Sequence, residues 1–186
     1  MQALRVFANQ ATAALDSAGR FEEVRFLAEH DTLTRLLNRH AFAVRLELEM
    51  TRSTRYGRPF TLVVLDVDGF KSVNDRHGHL AGDAALEQLG GVLRAGLRAA
   101  DTAYRIGGDE FALLLPETSA AEARAVIERI AADLEAAGDR AGTPLRASFG
   151  VIVGEAGLTD AERFLRRADG AMYEAKRTGA HIHFVA

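Results

Sequence analysis

The chain has 186 residues, which suits one domain with an additional element and is too short for two full domains. Its 48% hydrophobic and 26% charged residues are ordinary for a folded soluble protein, and its net charge of -3 predicts no affinity for nucleic acids or membranes. The absence of cysteine excludes disulfides, thiolate metal sites and cysteine nucleophiles. No apolar stretch reaches the roughly 18 residues of a membrane span, and no signal-peptide pattern opens the chain, so we expect a cytoplasmic protein.

Residues 1–30 predict a helix that pairs with a second copy of itself. Apolar side chains recur every seven residues in two rows, namely Phe7, Ala14, Phe21 and Ala28, with Leu4, Ala11 and Ala18. Packing of this helix on its own domain is the alternative. The segment from Leu4 to Ala18 resembles the last helix of GAF-type sensor domains. Because the amphipathic pattern starts at Met1 without a lead-in, we expect a longer protein with a sensor domain upstream.

The first half of the globular part, residues 31–186, predicts a helix and a central strand. Asp31 to Arg39 is a polar bend, and Asn38 can cap a helix that runs to about Tyr56. The apolar run from Phe60 to Leu65 predicts a strand buried on both faces. It ends in Asp66-Val67-Asp68, and the alternation of a strand puts Asp66 and Asp68 on one face.

The rest of the chain predicts a short helix, a long helix and a β-hairpin, followed by two helices and two strands. A short helical turn is expected over Phe70 to Asp75, and a longer helix from about Leu80. Two apolar runs joined by Gly107-Gly108 predict a β-hairpin, because glycine supplies the positive φ of tight turns. The capping boxes Ser119-x-x-Glu122 and Thr159-x-x-Glu162 predict helices that end at Gly138 and Gly179. Leu145 to Val153 and His181 to Val185 predict strands.

This order of elements predicts an α+β fold of the ferredoxin-like, palm-type kind. Its sheet is mostly antiparallel, helices flank it, and the N-terminal helix precedes it. If the central strand and the hairpin are neighbours in the sheet, the strand end at Asp66 meets the turn at Asp109.

The residues expected at that edge favour a metal and a nucleotide. Asp66, Asp68, Asp109 and Glu110 offer only hard oxygen ligands, which suit Mg²⁺. A solvated acidic hairpin tip is the alternative for the pair Asp109-Glu110. Free backbone N–H groups after Gly69 can cradle phosphate. Asn74 and Asp83 can bond a base, and Lys176 can neutralise phosphate charge, so the set predicts phosphoryl or nucleotidyl transfer.

The motif Gly107-Gly-Asp-Glu-Phe111 resembles the signature of the GGDEF domains, the diguanylate cyclases. Asp31-Thr-Leu-Thr with Asn38-Arg39 resembles the opening motif of that family. Leu65 to Asp75, then Gly78-His79 and Gly82-Asp83, resembles its nucleotide-binding segment. Ala168-Asp169, Met172-Tyr173 and Ala175-Lys176 resemble its last helix. The resemblance covers about Asp31 to Val185.

The resemblance implies that two GTP condense to cyclic di-GMP with release of two pyrophosphates across a homodimer. Asp66, the Val67 carbonyl and Asp109 would hold Mg²⁺ (or Mn²⁺). Glu110 would be a further ligand or the base for the 3′-hydroxyl, and Glu110, Asp109 and Asp66 form the catalytic set. The GTP contacts would be Gly69, Phe70, Lys71, Asn74, Asp83 and Lys176, of which Asn74 and Asp83 read guanine.

The resemblance also implies product inhibition at an RxxD site, formed by Arg98 and Asp101 with Arg129 as a further contact. A helix-end salt bridge is the plain alternative for Arg98 and Asp101. One departure concerns the phosphates: the family usually continues after Lys176 with Gly-Arg-Asn, whereas this chain has Gly179-Ala180-His181. Arg177 could replace the absent arginine. Two other functions stay open, a domain that senses GTP or cyclic di-GMP without turnover and a cyclase that uses ATP.

Overall fold

The computed structural model describes residues 26–154, 157 and 159–185. Within them, one sheet of six strands has the spatial order β1-β3-β4-β2-β5-β6. The strands are β1 (Leu37–Asn38), β2 (Phe60–Val67), β3 (Thr102–Arg105), β4 (Glu110–Pro116), β5 (Ala147–Gly154) and β6 (Ile182–Val185). The helices are α1 (Arg39–Tyr56), α2 (Phe70–His77), α3 (His79–Gly96), α4 (Ala120–Ala141) and α5 (Ala161–Thr178).

The sheet is mixed but mostly antiparallel, which confirms the predicted fold class. The central strand β2 lies between β4 and β5 and is antiparallel to both. The predicted hairpin is present as the antiparallel pair β3 and β4, whereas the outer pairs β1–β3 and β5–β6 are parallel. Every residue of β2 except Asp66 is buried, as the apolar run predicted.

Helices cover both faces of the sheet, and each face has its own apolar core. One core joins Val63 and Leu65 of β2 to leucines of α3 and isoleucines of α4, namely Leu86, Leu89, Leu93, Ile127 and Ile130. The other joins Leu62 and Val64 of β2 to side chains of α1 and α5, namely Phe42, Leu46, Met50, Phe164 and Ala168. Alternate side chains of β2 therefore enter opposite cores, which explains why Thr61, whose hydroxyl donates to the Thr118 carbonyl, is the one polar residue of the strand before Asp66.

Local sequence signals set most helix ends as predicted. Asn38 accepts a hydrogen bond from the Ala41 N–H and caps α1, and Gly57 ends that helix at φ 65°. Ser119 and Glu122 form the capping box of α4, and Gly179 ends α5 at φ 68°. These ends depend on groups within a few residues of each other, so the sequence is enough to place them.

Two predicted helix signals were wrong. Gly138 does not end α4: the helix continues to Ala141 and ends at Gly142 in a left-handed conformation. Gly138 is instead buried where the returning chain crosses the helix, and a Cβ there would lie 2.4 Å from the Leu145 nitrogen. For α5, the residue that caps the helix is Asp160, which accepts from the Arg163 N–H, and not Thr159.

The predicted dimerising helix falls mostly outside the described residues, so its pairing stays a prediction. Residues 26–29 are helical, and the Asn38 side chain donates to the Ala28 carbonyl at 2.8 Å. His30 stacks on Phe26 with 4.0 Å between ring centroids. No helix in the described part of the chain is long and apolar enough to cross a membrane.

Gly150 on β5 sets how closely α5 approaches the sheet. A Cβ at this position would lie 2.2 Å from the Met172 nitrogen and 2.3 Å from the Ala168 carbonyl oxygen. Both atoms are backbone, so they cannot yield without moving the helix. Buried alanines at 168, 171 and 175 complete the close contact. Since α5 carries Lys176, this glycine positions a predicted site residue.

We therefore expect Gly150→Ala to destabilise the protein by about 2–3 kcal/mol, because overpacking at a fixed backbone contact is costly. Gly170→Ala on α5 is the matched control, since a Cβ there meets nothing within 4 Å. In a helix that change should stabilise the fold by about 0.5–1 kcal/mol. Urea denaturation of both variants measures the two free energies of unfolding. A Gly150→Ala variant as stable as wild type would refute the proposed close packing.

Candidate active site

The register of β2 and β4 brings the predicted carboxylates together at one edge of the sheet. Asp66 lies directly opposite Glu110, and the Val67 N–H donates to the Asp109 carbonyl at 3.2 Å. This meeting requires β2 and β4 to be neighbours in the sheet, and they are. Three acidic side chains from two segments thus share one strand end.

Lys176 of α5 is the cation closest to this group. Its Nζ donates to Asp66 Oδ1 at 2.5 Å, and the Asp66 side chain is only 13% exposed. The charges of Asp68 and Asp109 also act on the lysine. The structure therefore joins Lys176 to the carboxylates at a sequence distance that no local pattern could indicate.

The pKa values of two acids at this edge, Asp66 and Glu110, lie above their ordinary values. Burial raises the pKa of the Asp66 carboxyl, the Lys176 hydrogen bond and charge oppose that rise, and the charges of Asp109 and Asp68 add to it. Partial burial raises the pKa of Glu110, and the charges of Asp66, Asp169 and Asp109 raise it further. One lysine therefore does not compensate the crowded negative charge, and a bound cation would relieve it.

Asp68 lies beside this group, on the β5 side. Its Oδ1 accepts from the Ser148 hydroxyl at 2.7 Å, and its Oδ2 lies 3.8 Å from His181 Nδ1. β2 ends at Val67, but Ser148 is the residue of β5 directly opposite Asp66. Asp66 and Asp68 therefore lie near the same residue of β5, as the predicted shared face requires, and Ser148 holds Asp68 through a hydrogen bond.

The glycines of the hairpin turn serve a different purpose from the one predicted. Neither Gly107 nor Gly108 has a positive φ. A Cβ at Gly107 would instead lie 2.3 Å from Glu110 Oε2, so the glycine leaves room for the Glu110 carboxylate to fold over the turn. The backbone N–H groups of Ile106 and Gly107 both donate to the Glu110 carbonyl, at 2.9 and 3.1 Å.

Arg105 clamps the turn, and sequence reasoning missed its role. Its Nη2 and Nε donate to the Gly108 carbonyl at 2.7 and 3.2 Å, while Nη1 lies 3.1 and 3.2 Å from the two Asp31 carboxylate oxygens. Burial alone would raise the pKa of Asp31, but hydrogen bonds from Thr34 and Arg105 lower it below the ordinary value of 3.8. Asp31 thus links the chain after the N-terminal helix to the acidic turn.

Arg39 and Asp169 form a second group next to Glu110 that sequence reasoning left without a role. Loss of hydration raises the pKa of the Asp169 carboxyl, although the residue as a whole is exposed, and the Arg39 charge opposes the rise. Both charges also act on Glu110. Asp169 lies two helical turns before Lys176 on α5, so spacing on that helix could have indicated that the two share a face.

The start of α2 offers the predicted backbone donors. Gly69 precedes the helix at φ 68°, and no side chain caps the helix there. The Gly69 carbonyl accepts from the Ser72 and Val73 N–H groups, and the earlier N–H groups of the first turn have no carbonyl to bond within the helix. Lys71 is exposed on the same turn. This end follows β2 directly, two residues after Val67.

Asn74 and Asp83 meet where α2 and α3 cross. A Cβ at Gly82 would lie 2.0 Å from Asn74 Oδ1, so the asparagine side chain rests on the glycine that precedes Asp83. Asn74 Oδ1 is buried without a hydrogen-bond partner in the described structure. Such an acceptor is costly unless a donor reaches it, which is compatible with the predicted contact between Asn74 and a base.

Arg98, Asp101 and Arg129 lie together, far from the acidic edge. Arg98 donates to both carboxylate oxygens of Asp101, at 3.1 to 3.2 Å, and to the Thr118 hydroxyl at 2.7 Å. Thr118 follows the C-terminal end of β4, whereas Glu110 begins that strand. Arg129 Nη2 donates to the Gly96 carbonyl at 2.5 Å, two residues before Arg98. The plain salt bridge between Arg98 and Asp101 is therefore present, and Arg129 contacts the chain just before it; binding of the product there stays a prediction.

The donor set fits a divalent cation that keeps part of its water. In the described part of the chain, no three acid or imidazole side chains converge as a complete metal cage. Mg²⁺ needs no such cage, since it usually takes one or two carboxylates and leaves other positions to water and phosphates. Asp66, Asp109 and Glu110 provide carboxylates in a place where negative charge is already in excess.

Comparison with known proteins decides the family. The family profile described as "Diguanylate cyclase, GGDEF domain" matches residues 28–181. The chain belongs to the GGDEF domain family of diguanylate cyclases. This GGDEF domain is 45% identical over 161 residues to the diguanylate cyclase DgcP of Pseudomonas aeruginosa, covering 85% of the chain but 24% of DgcP. It is 36% identical over 163 residues to DosC of Escherichia coli, covering 86% of the chain and 35% of DosC.

Solved structures of GGDEF domains share the fold. The coiled coil and GGDEF domain of DgcB from Caulobacter crescentus, in complex with c-di-GMP, has a TM-score of 0.85 at 27% identity, over 98% of this chain and 99% of that one. SiaD of Pseudomonas aeruginosa, solved with its activator SiaC, has a TM-score of 0.77 at 36% identity, over 96% of this chain and 71% of the SiaD chain. The chain spans about a quarter to a third of the length of the curated relatives DgcP and DosC.

The Arg105 clamp predicts a pH-dependent loss of stability in Arg105→Lys. A lysine cannot bond Asp31 and Gly108 together, so the variant should lose about 1–3 kcal/mol at pH 7. Asp31 has a lowered pKa, so its contribution is complete above pH 3.8 and is lost as the pH falls through the lower folded value. The difference in free energy of unfolding between wild type and variant, measured by urea denaturation, should therefore disappear at low pH.

Arg146→Lys is the control for that experiment, because Arg146 pairs with Glu135 at 3.0 Å with both side chains more than half exposed. This variant should lose less than about 1 kcal/mol. Equal losses in the two variants would contradict the assigned clamp.

Glu110→Gln should raise the melting temperature at pH 8 in the absence of divalent cations. The raised pKa means that ionised Glu110 destabilises the fold at high pH, and this penalty disappears as the pH falls below the ordinary value of 4.5. The difference in melting temperature between variant and wild type should therefore shrink as the pH falls toward 4.5 and below.

Glu122→Gln is the control of opposite sign, because hydrogen bonds from Ser119 lower the pKa of Glu122. It should melt below wild type at pH 8. A Glu110→Gln protein that also melts below wild type would show that the acidic turn is not electrostatically crowded.

Proposed function

We propose that this GGDEF domain is a diguanylate cyclase that condenses two GTP into cyclic di-GMP and two pyrophosphates. The β2–β4 register, which brings Asp66, Asp109 and Glu110 to one strand end, carries the proposal. DgcP and DosC, two relatives that match most of the chain, are named diguanylate cyclases. The residues of this site supply the charges and hydrogen bonds that nucleotidyl transfer requires.

Asp66, the Val67 carbonyl, Asp109 and Glu110 would hold Mg²⁺ (or Mn²⁺). When bound, the ion neutralises phosphate charge and polarises the α-phosphate. In its absence, burial raises the pKa of Asp66 and Glu110, and the charge of Asp109 raises both further. The crowding that destabilises the metal-free fold is therefore what gives this edge its affinity for a cation.

GTP would lie across the ends of β2 and α2. The unpartnered Asn74 Oδ1 can accept from the guanine N1–H or N2–H, and Asp83 next to it supplies further acceptors. Adenine has no donor at N1, so these acceptors favour guanine. Backbone N–H groups near Gly69 and Phe70, with Lys71, face the phosphates. Lys176 would leave Asp66 and pair with phosphate when the nucleotide arrives.

In the proposed reaction, the 3′-hydroxyl of one GTP attacks the α-phosphate of the other. The new O3′–Pα bond forms as the bond from Pα to the β-phosphate oxygen breaks, and pyrophosphate leaves. Glu110 accepts the hydroxyl proton, a role that its raised pKa suits. The reciprocal attack closes the ring, so two domains must face each other, each with one GTP.

The proposed assembly is a homodimer held by the helix of residues 1–30, with residues 31–186 as the catalytic domain and a sensor domain upstream. Asp31 is the first residue after that helix and binds Arg105, which binds the turn at Gly108. The dimer helix is thus connected to the catalytic turn through two side chains. We also propose product inhibition by cyclic di-GMP at Arg98, Asp101 and Arg129, which the fold assembles at the far end of β4.

One observation favours a second candidate, a domain that senses GTP or cyclic di-GMP without turnover. Arg177 was expected to replace the arginine absent at Ala180, but it donates to Glu174 through Nη2 at 2.6 Å and Nε at 3.2 Å. This pairing lies on the exposed side of α5. Lys176 would then be the principal side-chain cation for phosphate, and binding or turnover would be weaker.

Incubation of the protein with GTP and Mg²⁺ tests the proposal, with cyclic di-GMP and pyrophosphate as the measured products. Asp66→Asn and Glu110→Gln should each lower kcat by at least about 100-fold, since one removes a metal carboxylate and the other the proton acceptor. EDTA should abolish turnover, and ATP in place of GTP should give no cyclic product.

Asp68→Asn is the matched control, because Asp68 lies at the same strand end but is bound to Ser148. We expect it to lower kcat less than about tenfold. GTP binding without any cyclic product at high protein concentration would select the sensing function. Loss of activity in Asp68→Asn as large as in Asp66→Asn would contradict the assigned site.

A further inference from the structure

A basic cavity lies between the loop that follows the N-terminal helix and the end of α3. It has a volume of about 310 Å³. Its charged lining residues are His30, Arg35, Arg94, Arg98 and Asp101, and Leu36, Leu37 and Leu97 contribute apolar walls. The cavity is separate from the acidic edge, and nothing in the proposed reaction requires Arg35 or Arg94.

Arg35 adopts an unfavourable backbone conformation to reach this cavity. Its φ is 61°, in the left-handed region that glycine occupies more easily. Such a conformation is unfavourable for a residue with a Cβ. The Arg35 N–H donates to the Asp31 carbonyl at 2.9 Å, which holds the turn in place whatever side chain follows. The backbone therefore gives no reason for an arginine, and the role of this residue lies in its guanidinium.

The two arginines that bracket the cavity have unused donors. Arg98 is neutralised by Asp101, whose side chain is 1% exposed. Arg94 gives one Nη1 donor to the Thr34 carbonyl at 2.5 Å, and Arg35 lies over the Phe26 ring at 5.7 Å. Within residues 26–154, 157 and 159–185, no carboxylate pairs with Arg35 or Arg94. The cavity thus carries two positive charges that no neighbouring side chain compensates.

We propose that this cavity binds a phosphate-bearing anion between Arg35 and Arg94. A guanidinium presents a planar fork of N–H donors that matches two phosphate oxygens, and a doubly charged anion balances two guanidinium charges. The anion would tie the loop of residues 31–37 to α3. Because Asp31 in that loop holds Arg105 and the catalytic turn, occupancy would also steady the turn.

Isothermal titration of the full chain with pyrophosphate, in EDTA and at constant ionic strength, tests this site. We expect saturable binding of one anion per chain in wild type. Arg35→Gly should weaken the affinity at least tenfold. Glycine suits a φ of 61°, so this variant should melt no lower than wild type, and loss of binding then cannot be attributed to misfolding.

Two control variants keep the result specific. Arg124 also lies over a phenylalanine, Phe184, at 4.3 Å but lines no such cavity, so Arg124→Ala should bind as wild type does. Lys176→Ala should also bind as wild type does, which separates this site from the phosphate contacts of the active site.

Three results would overturn the inference: no saturable binding in wild type, unchanged binding in Arg35→Gly, or loss of binding in Lys176→Ala alone. Loss in Arg98→Ala with unchanged binding in Arg35→Gly would likewise overturn it and assign the anion to the proposed product site. The cyclase assay on wild type is independent, so failure of the cavity and failure of the proposed reaction can be told apart.

Discussion

The antiparallel pairing of β2 with β4 is the constraint on which the rest of the site depends. It places Asp66 opposite Glu110 and ties the Val67 N–H to the Asp109 carbonyl. Backbone hydrogen bonds along seven paired positions fix this register, so the carboxylates cannot move apart to relieve their repulsion. A slip of one residue would turn each side chain of β2 toward the opposite core and disrupt the packing of both, which makes the register resistant to change.

The site combines this rigid scaffold with unfavourable electrostatics. Carboxylates that would separate in a flexible chain are held side by side, and burial together with neighbouring negative charge raises the pKa of Asp66 and Glu110. Lys176 balances part of the charge from a helix whose distance to the sheet is set by Gly150. Arg105 and Asp31 secure the other side of the turn. The folded protein therefore maintains an excess of negative charge at this edge, which suits the proposed binding of a cation with a nucleotide.

The sequence was sufficient where structure depends on near neighbours. The caps at Asn38 and Ser119, the helix ends at Gly57 and Gly179 and the buried strand β2 all follow from groups a few residues apart. It was also sufficient for the acidic edge, because the motif residues Asp66, Asp109, Glu110 and Lys176 were recognised together. It failed where tertiary contacts decide: Gly138 is a crossing point for Leu145, Gly107 makes room for Glu110, and Arg105 binds Asp31 across 74 residues of chain. Hydrophobic and charge patterns cannot show such contacts, because they exist only after the sheet has formed.

We propose that the carboxylates of β2 and β4 are crowded so that a divalent cation with a guanine nucleotide can relieve their repulsion. The sharpest test is a carboxyl-carbon NMR titration of Asp66 and Glu110, with and without Mg²⁺ and a non-hydrolysable GTP analogue. We expect both groups to titrate above their ordinary pKa in the free protein, and both pKa values to fall when ion and nucleotide bind. Ordinary values in the free protein, or values that do not change on addition of Mg²⁺ and nucleotide, would contradict it.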